Sequence, residues 1–426
     1  MAELEYVPPS TPLLEKWGGS SSSSRSSSSD DAGSGTDSNR APEAVERMKS
    51  GGGGEGGGRN KSLAVLTGHS GSVHCLAVCG EYVLSASDGR DIVAWRQPDL
   101  RRFARFGHGG GGSVKALAAV GGHVFSAHQD GRIRVWQVCP RGAGGSENAF
   151  RLAATLPTAR DRLGKILMQG SYVQTRRHHR KLWIEHADSI SCLAVDGGAV
   201  YSGSWDKTLK VWRLSDLKCI ESIKAHDDAV NALAAGGGAV FSASADGKIK
   251  IWTRPPRALN HSLKAVLEAE AARKGAVPVS WNAVVVADGG RAAYGGGSDG
   301  RVVGWEEEAE GKWRVACELR AHEMSVLCLS ICCRGEVLCS GSADKSIGLW
   351  RRAAKVGGGG GGIYRIGVVR GHEGPVKCVL ASGFRVGDGF MLYSGGFDKS
   401  LRVWWVDGGK EEALREADDA QGKDCL

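Results

Sequence analysis

The chain has 426 residues, 41% of them hydrophobic, and a formal net charge of +8. That is ample to bury a large core, and no apolar run approaches the roughly 18 residues of a membrane-spanning helix. Residues 158–181 hold seven lysines and arginines against the single acid Asp161, so the positive charge is local and does not mark a general nucleic-acid binder.

Residues 1–60 read as a disordered Ser/Gly-rich tail, because a serine run and the glycine run at 51–58 cannot bury enough apolar surface to offset chain entropy. Its acidic start, M-A-E-L-E-Y-V-P-P-S, lacks the apolar core of a secretory signal. From 61 to 407 the chain repeats itself. S-A-H-Q-D-G-R-I-R-V-W ends at Trp136, S-G-S-W-D-K-T-L-K-V-W at Trp212 and S-A-S-A-D-G-K-I-K-I-W at Trp252. S-G-S-A-D-K-S-I-G-L-W ends at Trp350 and S-G-G-F-D-K-S-L-R-V-W at Trp404, while weaker copies end at Trp95 and Trp305.

Each copy reads as strand, tight Asp-Gly or Asp-Lys turn, and a strand of alternating apolar and polar residues. A Gly-His or Ala-His followed by an apolar run precedes most copies, as at Gly68-His69 and Ala225-His226. The tryptophans are spaced 41, 76, 40, 53, 45 and 54 residues apart, against roughly 40–45 for a four-stranded propeller repeat. These features predict an all-β fold, a single seven-bladed β-propeller with insertions. The largest insertion, before Trp212, carries the basic stretch 158–181 as a loop. Trp404 is followed only by W-V-D-G-G-K, so the last blade lacks an outer strand. Ser62–Leu66 has no blade of its own and is predicted to supply it, closing the ring. Residues 408–426 form a charged tail with at most a short helix.

Five repeats hold a complete set of polar residues: His108/Ser126/Asp130/Trp136, His186/Ser202/Asp206/Trp212, His226/Ser242/Asp246/Trp252, His322/Ser340/Asp344/Trp350 and His372/Ser394/Asp398/Trp404. Ser, His and Asp together suggest a nucleophile. An enzyme needs one such set in one cleft, however, and five equivalent sets read as structural networks. The glycine runs at 51–58 and 357–362 lack the strand-to-helix context of a phosphate loop. No V-A-I-K, H-R-D or D-F-G occurs. No enzyme, catalytic residue or cofactor is predicted. The twelve cysteines include no C-x-x-C pair, which argues against a metal site. Cys75, Cys192, Cys328 and Cys378 read as small core residues in a reducing compartment, cytoplasmic or nuclear.

These repeats resemble the WD-repeat family over residues 62–406. The resemblance implies that each His, Ser, Asp and Trp set locks the strands of one blade. Blade one departs, since Asp88 comes one position early with Gly89 in the Asp slot, beside His69, Ser85 and Trp95. Blade five keeps Asp299 and Trp305 but has Gly295 for the serine and no histidine before V-P-V-S-W. Both blades are expected to be held more loosely. The stretches L-P-T-A-R-D-R-L and R-R-H-H-R-K-L-W-I-E-H-A-D-S-I-S-C-L look like the plant Jingubang group, often labelled as similar to the propeller of myosin heavy chain kinase. That likeness implies a plant scaffold that acts through a transcription-factor or signalling partner and restrains pollen germination and tube growth.

The partner surface is expected at Trp205 and Phe397, immediately before the turn Asp, where other blades carry Gln129, Ala245, Ser298 and Ala343. Arg160, Arg162, Lys165, Arg176, Arg177, Arg180 and Lys181 are expected on the same face. The alternatives are packing against neighbouring loops for the aromatics, and a solvated loop or nuclear localisation signal for the basic run. Only Tyr172 interleaves with these cations, so direct nucleic-acid binding is not expected. Two other functions compete: a ubiquitin-ligase substrate receptor, against which the absence of W-D-x-R at the strand ends counts, and a subunit of a larger RNA or trafficking complex. No sequence signal speaks to oligomeric state.

Overall fold

The computed structural model describes residues 60–107, 111–139, 149–166, 171–176, 179–255, 257–269, 279–308, 311–332, 335–352, 362–386 and 389–407. The tails 1–59 and 408–426, and the disorder and short helix expected of them, lie outside these residues. Seven four-stranded antiparallel sheets form the blades. Each innermost strand packs beside that of the next blade, and the seventh meets the first.

Blade three shows the pattern, with strands Ile190–Asp196, Ala199–Ser204, Thr208–Arg213 and Cys219–Lys224 running from the ring axis outward. Neighbouring blades cover both faces of a sheet, so the second strands Tyr82–Ser87, Ala239–Ser244 and Val337–Ser342 are buried along their whole length. Alanine, glycine and serine recur there because sheets meet closely. The core therefore lies in wedges between blades, as where Ile133, Val135 and Leu156 of blade two meet Ile190, Val200 and Trp212 of blade three.

The pairing register defines two faces. Ile190, Ser204, Thr208 and Lys224 share one end of blade three, beside the Asp turn, while Asp196, Ala199, Arg213 and Cys219 lie at the other. We call these the Asp-turn face and the far face. The residue after the turn Asp takes a left-handed conformation, met by Gly131, Gly247 and Gly300 in three blades and by Lys207, Lys345 and Lys399 in three others. In blade one this conformation falls on Arg90, as far from Ser85 and Trp95 as Gly247 is from Ser242 and Trp252, so the turn keeps its register and only the Asp is displaced.

The ring closes through Asn60–Leu66, which pairs antiparallel with Leu401–Asp407, Ser62 opposite Trp404 and Leu66 opposite Leu401. The strand begins two residues earlier than the sequence suggested. Ala64 and Leu66 bury against Val83, Val93 and Trp95 of blade one.

The basic insertion is not a plain loop. It holds helix α1, Ala159–Ile166, and a hairpin of Tyr172–Arg176 with His179–Leu182. Thr158 caps the helix. Its hydroxyl accepts from the Asp161 amide at 3.1 Å and donates to the Asp161 carboxylate at 2.6 Å.

Candidate functional site

In blade three, Asp206 Oδ2 lies 3.0 Å from His186 Nδ1, His186 Nε2 lies 2.8 Å from Ser202 Oγ, and Trp212 Nε1–H donates to that Oγ at 2.9 Å. One assignment of protons satisfies every atom. Nδ1–H donates to the carboxylate, the serine O–H donates to Nε2, and the serine oxygen accepts the indole. The same chain recurs at His226, Ser242, Asp246 and Trp252, at His322, Ser340, Asp344 and Trp350, and at His372, Ser394, Asp398 and Trp404.

Each of these aspartates also caps its own turn, as Asp206 accepts from the Thr208 amide at 2.9 Å. Burial alone would raise the Asp206 carboxyl, but hydrogen bonds from His186, Thr208 and the Ala187 amide outweigh it and hold the carboxyl well below its usual range. Burial lowers His186, with Asp206 opposing.

The remaining three blades differ. His108 lies outside the described residues, and Ser126 meets His128 from its own strand at 2.8 Å while accepting from Trp136. Asp130 does not join that network, because its carboxylate pairs with Arg134 at 2.8 Å. Without the Asp partner, burial and then Arg134 push His128 down to about 4. The sequence signal was present but unread: His128 stands where blades one, three, four and six have the second serine, Ser87, Ser204, Ser244 and Ser342.

Blade one keeps His69, Ser85 and Trp95 together, with both bonds at 2.7 Å. The shifted Asp88 reaches His74 at 2.5 Å and Lys115 at 3.6 Å. His69, buried without a carboxylate and near Arg105, is also lowered to about 4. Only the Asp link of that network is lost.

Blade five replaces the network with aromatic packing. Trp281 fills the space left by Gly295 and stands edge-on to Trp305, ring centroids 5.3 Å apart. Its indole donates to Gly247 O in the blade-four turn at 2.9 Å, and Trp305 donates to Glu268 O at 3.3 Å.

The serines of the four complete networks are fully buried. Each donates its proton to histidine and accepts an indole N–H, so none can meet a substrate as a nucleophile.

Trp205 and Phe397 stand on the Asp-turn face, 47% and 48% exposed. They belong to blades three and seven, well apart around the ring. The insertion cations separate into different environments. Arg162 pairs with Glu185 at 2.8 Å, and Lys181 donates to His186 O. Arg180 is exposed, Arg176 sits in the hairpin and Arg177 lies outside the described residues. Arg160 and Lys165 do not join the Asp-turn aromatics. Helix α1 faces the outer rim of blade three, where these two residues share a cleft with Arg213, Lys218 and Arg254 from far-face turns. Those three partners lie 32 or more residues beyond the insertion in sequence, so its own charge pattern does not reveal them. Among the described residues no cluster of potential metal ligands occurs, and no helix is long and apolar enough to cross a membrane.

Comparison with known proteins agrees with this geometry. The WD domain, G-beta repeat, matches residues 60–96, 177–213, 217–253, 313–351 and 364–404. No match falls on the Ser-to-Trp segment of blade two or the Gly-to-Trp segment of blade five, where the networks are rebuilt. The chain is 30% identical over 115 residues to Zinc finger CCCH domain-containing protein 59 of Arabidopsis thaliana, covering 27% of this chain and 18% of that protein. It is 25% identical over 165 residues to an F-box/WD-40 repeat-containing protein of Arabidopsis thaliana, covering 38% and 26%. It is 55% identical over 38 residues to the CCR4-associated factor 4 homolog of Candida glabrata, covering 9% and 7%. The chain thus spans about a quarter or less of each relative's length. With five segments matched to the WD40 repeat and seven sheets closed into one ring, the described chain forms a seven-bladed β-propeller that carries WD40 repeats.

Proposed function

We propose that this propeller is a non-enzymatic protein-interaction scaffold whose partner docks on the Asp-turn face around Trp205 and Phe397. The observation that carries this reading is their exposure at turn tips where other blades are small or polar. Half-exposed aromatics are effective anchors, because they bury much area at little loss of rotamer freedom. The Jingubang resemblance supports the finer reading of a plant regulatory scaffold, cytoplasmic or nuclear. That scaffold would act through a transcription-factor or signalling partner and restrain pollen germination and tube growth. The likeness to an F-box/WD-40 repeat-containing protein favours a second reading, a ubiquitin-ligase substrate receptor. Co-purification of a ligase subunit with the intact chain would select it.

The test uses the intact chain as bait in wild-type form and as the Trp205→Ala/Phe397→Ala double variant, with quantitative mass spectrometry. Each partner recovered is then titrated against both. Loss of the two anchors is expected to weaken binding by about 2 kcal/mol or more, at least roughly 30-fold, with an unchanged melting temperature. Equal affinity of every partner for both proteins would move the interface off this face.

A further inference from the structure

A cleft of about 1000 Å³ opens on the outer rim of blade three. Four separate pieces of chain wall it: helix α1, the segment at Trp183 and Ile184, the far-face turn of blade three and the far-face connection of blade four. Three of them gather Arg160 and Lys165, Arg213 and Lys218, and Arg254 around one space. Among the described residues of the lining Asp161 is the one carboxylate, and the Thr158 amide and hydroxyl already bond it. Arg213 stands 3.7 Å from Asp216, an exposed contact of little strength. Among the described residues no carboxylate pairs with Arg160, Lys218 or Arg254. Like charges gathered this way repel one another and attract an anion.

The rest of the lining narrows the choice of anion. Trp183 forms part of the wall, with Lys165 Nζ 5.2 Å from its ring centroid, beside Ile220 and a 90% exposed Leu259. A bare polyphosphate would engage the cations and leave these apolar surfaces wet. A peptide with acidic groups around an apolar side chain would use both.

We propose that this rim cleft binds an acidic peptide segment of a partner protein, with an apolar residue seated between carboxylate or phosphate groups. It is independent of the Asp-turn face, since Arg213, Lys218 and Arg254 sit at the opposite end of their sheets.

The probe is a fluorescein-labelled peptide of glutamates around one leucine, titrated by anisotropy against the full chain. The Arg213→Glu/Lys218→Glu/Arg254→Glu variant should bind it at least about tenfold more weakly, three exposed attractions having become repulsions. Lys207→Glu/Lys345→Glu/Lys399→Glu places the same charge change on exposed Asp-turn positions and should change binding less than about twofold by long-range field alone. Trp205→Ala should leave it unchanged, which separates this site from the proposed partner face. Equal weakening by the two triple variants would overturn the proposal. So would undiminished binding of a peptide with glutamines for glutamates or with glutamine for the leucine. A phosphoserine version distinguishes the source: much tighter binding marks a phosphorylated segment, and equal binding an Asp/Glu-rich one. Stronger probe binding after deletion of 408–426 would name the chain's own acidic tail as occupant and overturn a partner origin.

Discussion

Asp206 ties two pieces of chain together, because its carboxylate accepts from His186, from the Ala187 amide at 2.7 Å and from the Thr208 amide and hydroxyl of its own turn. Asp206→Ala strands these buried donors and should destabilise the protein by about 1–3 kcal/mol. Asp88, its shifted counterpart in blade one, is about half exposed and among the described residues pairs with His74 and Lys115. Asp88→Ala should remove less than about 1 kcal/mol, as for other exposed ion pairs. Urea unfolding at matched m-values measures both, and equal losses would show that the buried network adds nothing beyond a surface pair. The complete networks were legible because repetition fixed which residue answers to which. In blade two the pattern points to His108, which lies outside the described residues, and says nothing of His128, which bonds Ser126 from two residues after it.

At the scale of the element, blade five shows how a repeat survives the loss of its polar network. Trp281 and Trp305 meet over Gly295, where a Cβ would lie 2.7 Å from Ile249 Cδ1, 3.0 Å from the Trp305 ring and 3.1 Å from the Trp281 ring. Gly295→Ser restores the residue that the other repeats carry, yet it should destabilise the protein by about 1–3 kcal/mol through overpacking. On a Trp281→Val background the serine should be tolerated better, because the space is then vacant. A thermal-melt double-mutant cycle measures the difference, and additive effects would refute this packing account. Sequence reasoning registered the missing serine and histidine but not what replaced them, since one tryptophan in V-P-V-S-W carries no periodic signal. The insertion eluded it differently: its charge suggested a loop, while the Thr158–Asp161 cap that starts α1 lay unread within T-A-R-D.

The whole molecule depends on a strand from one end of the described chain completing the last blade. Leu401–Asp407 would otherwise present a row of unpaired backbone groups, an edge open to pairing with a second molecule. Asn60–Leu66 covers that edge and inserts Ala64 and Leu66, 2% and 1% exposed, between blades seven and one. Deletion of residues 1–67 removes the pairing and the two buried side chains. Deletion of 1–58 removes neither. Burial of those side chains is worth roughly 2–4 kcal/mol, so the longer truncation should melt about 4–8 °C lower, and the shorter should match the intact chain. The longer truncation should also self-associate as concentration rises in size-exclusion chromatography, because its open edge accepts a strand from another copy. If the two truncations melt together and both stay monodisperse, the closure strand contributes no stability, and the ring must be held by the wedges of apolar side chains between its inner strands alone.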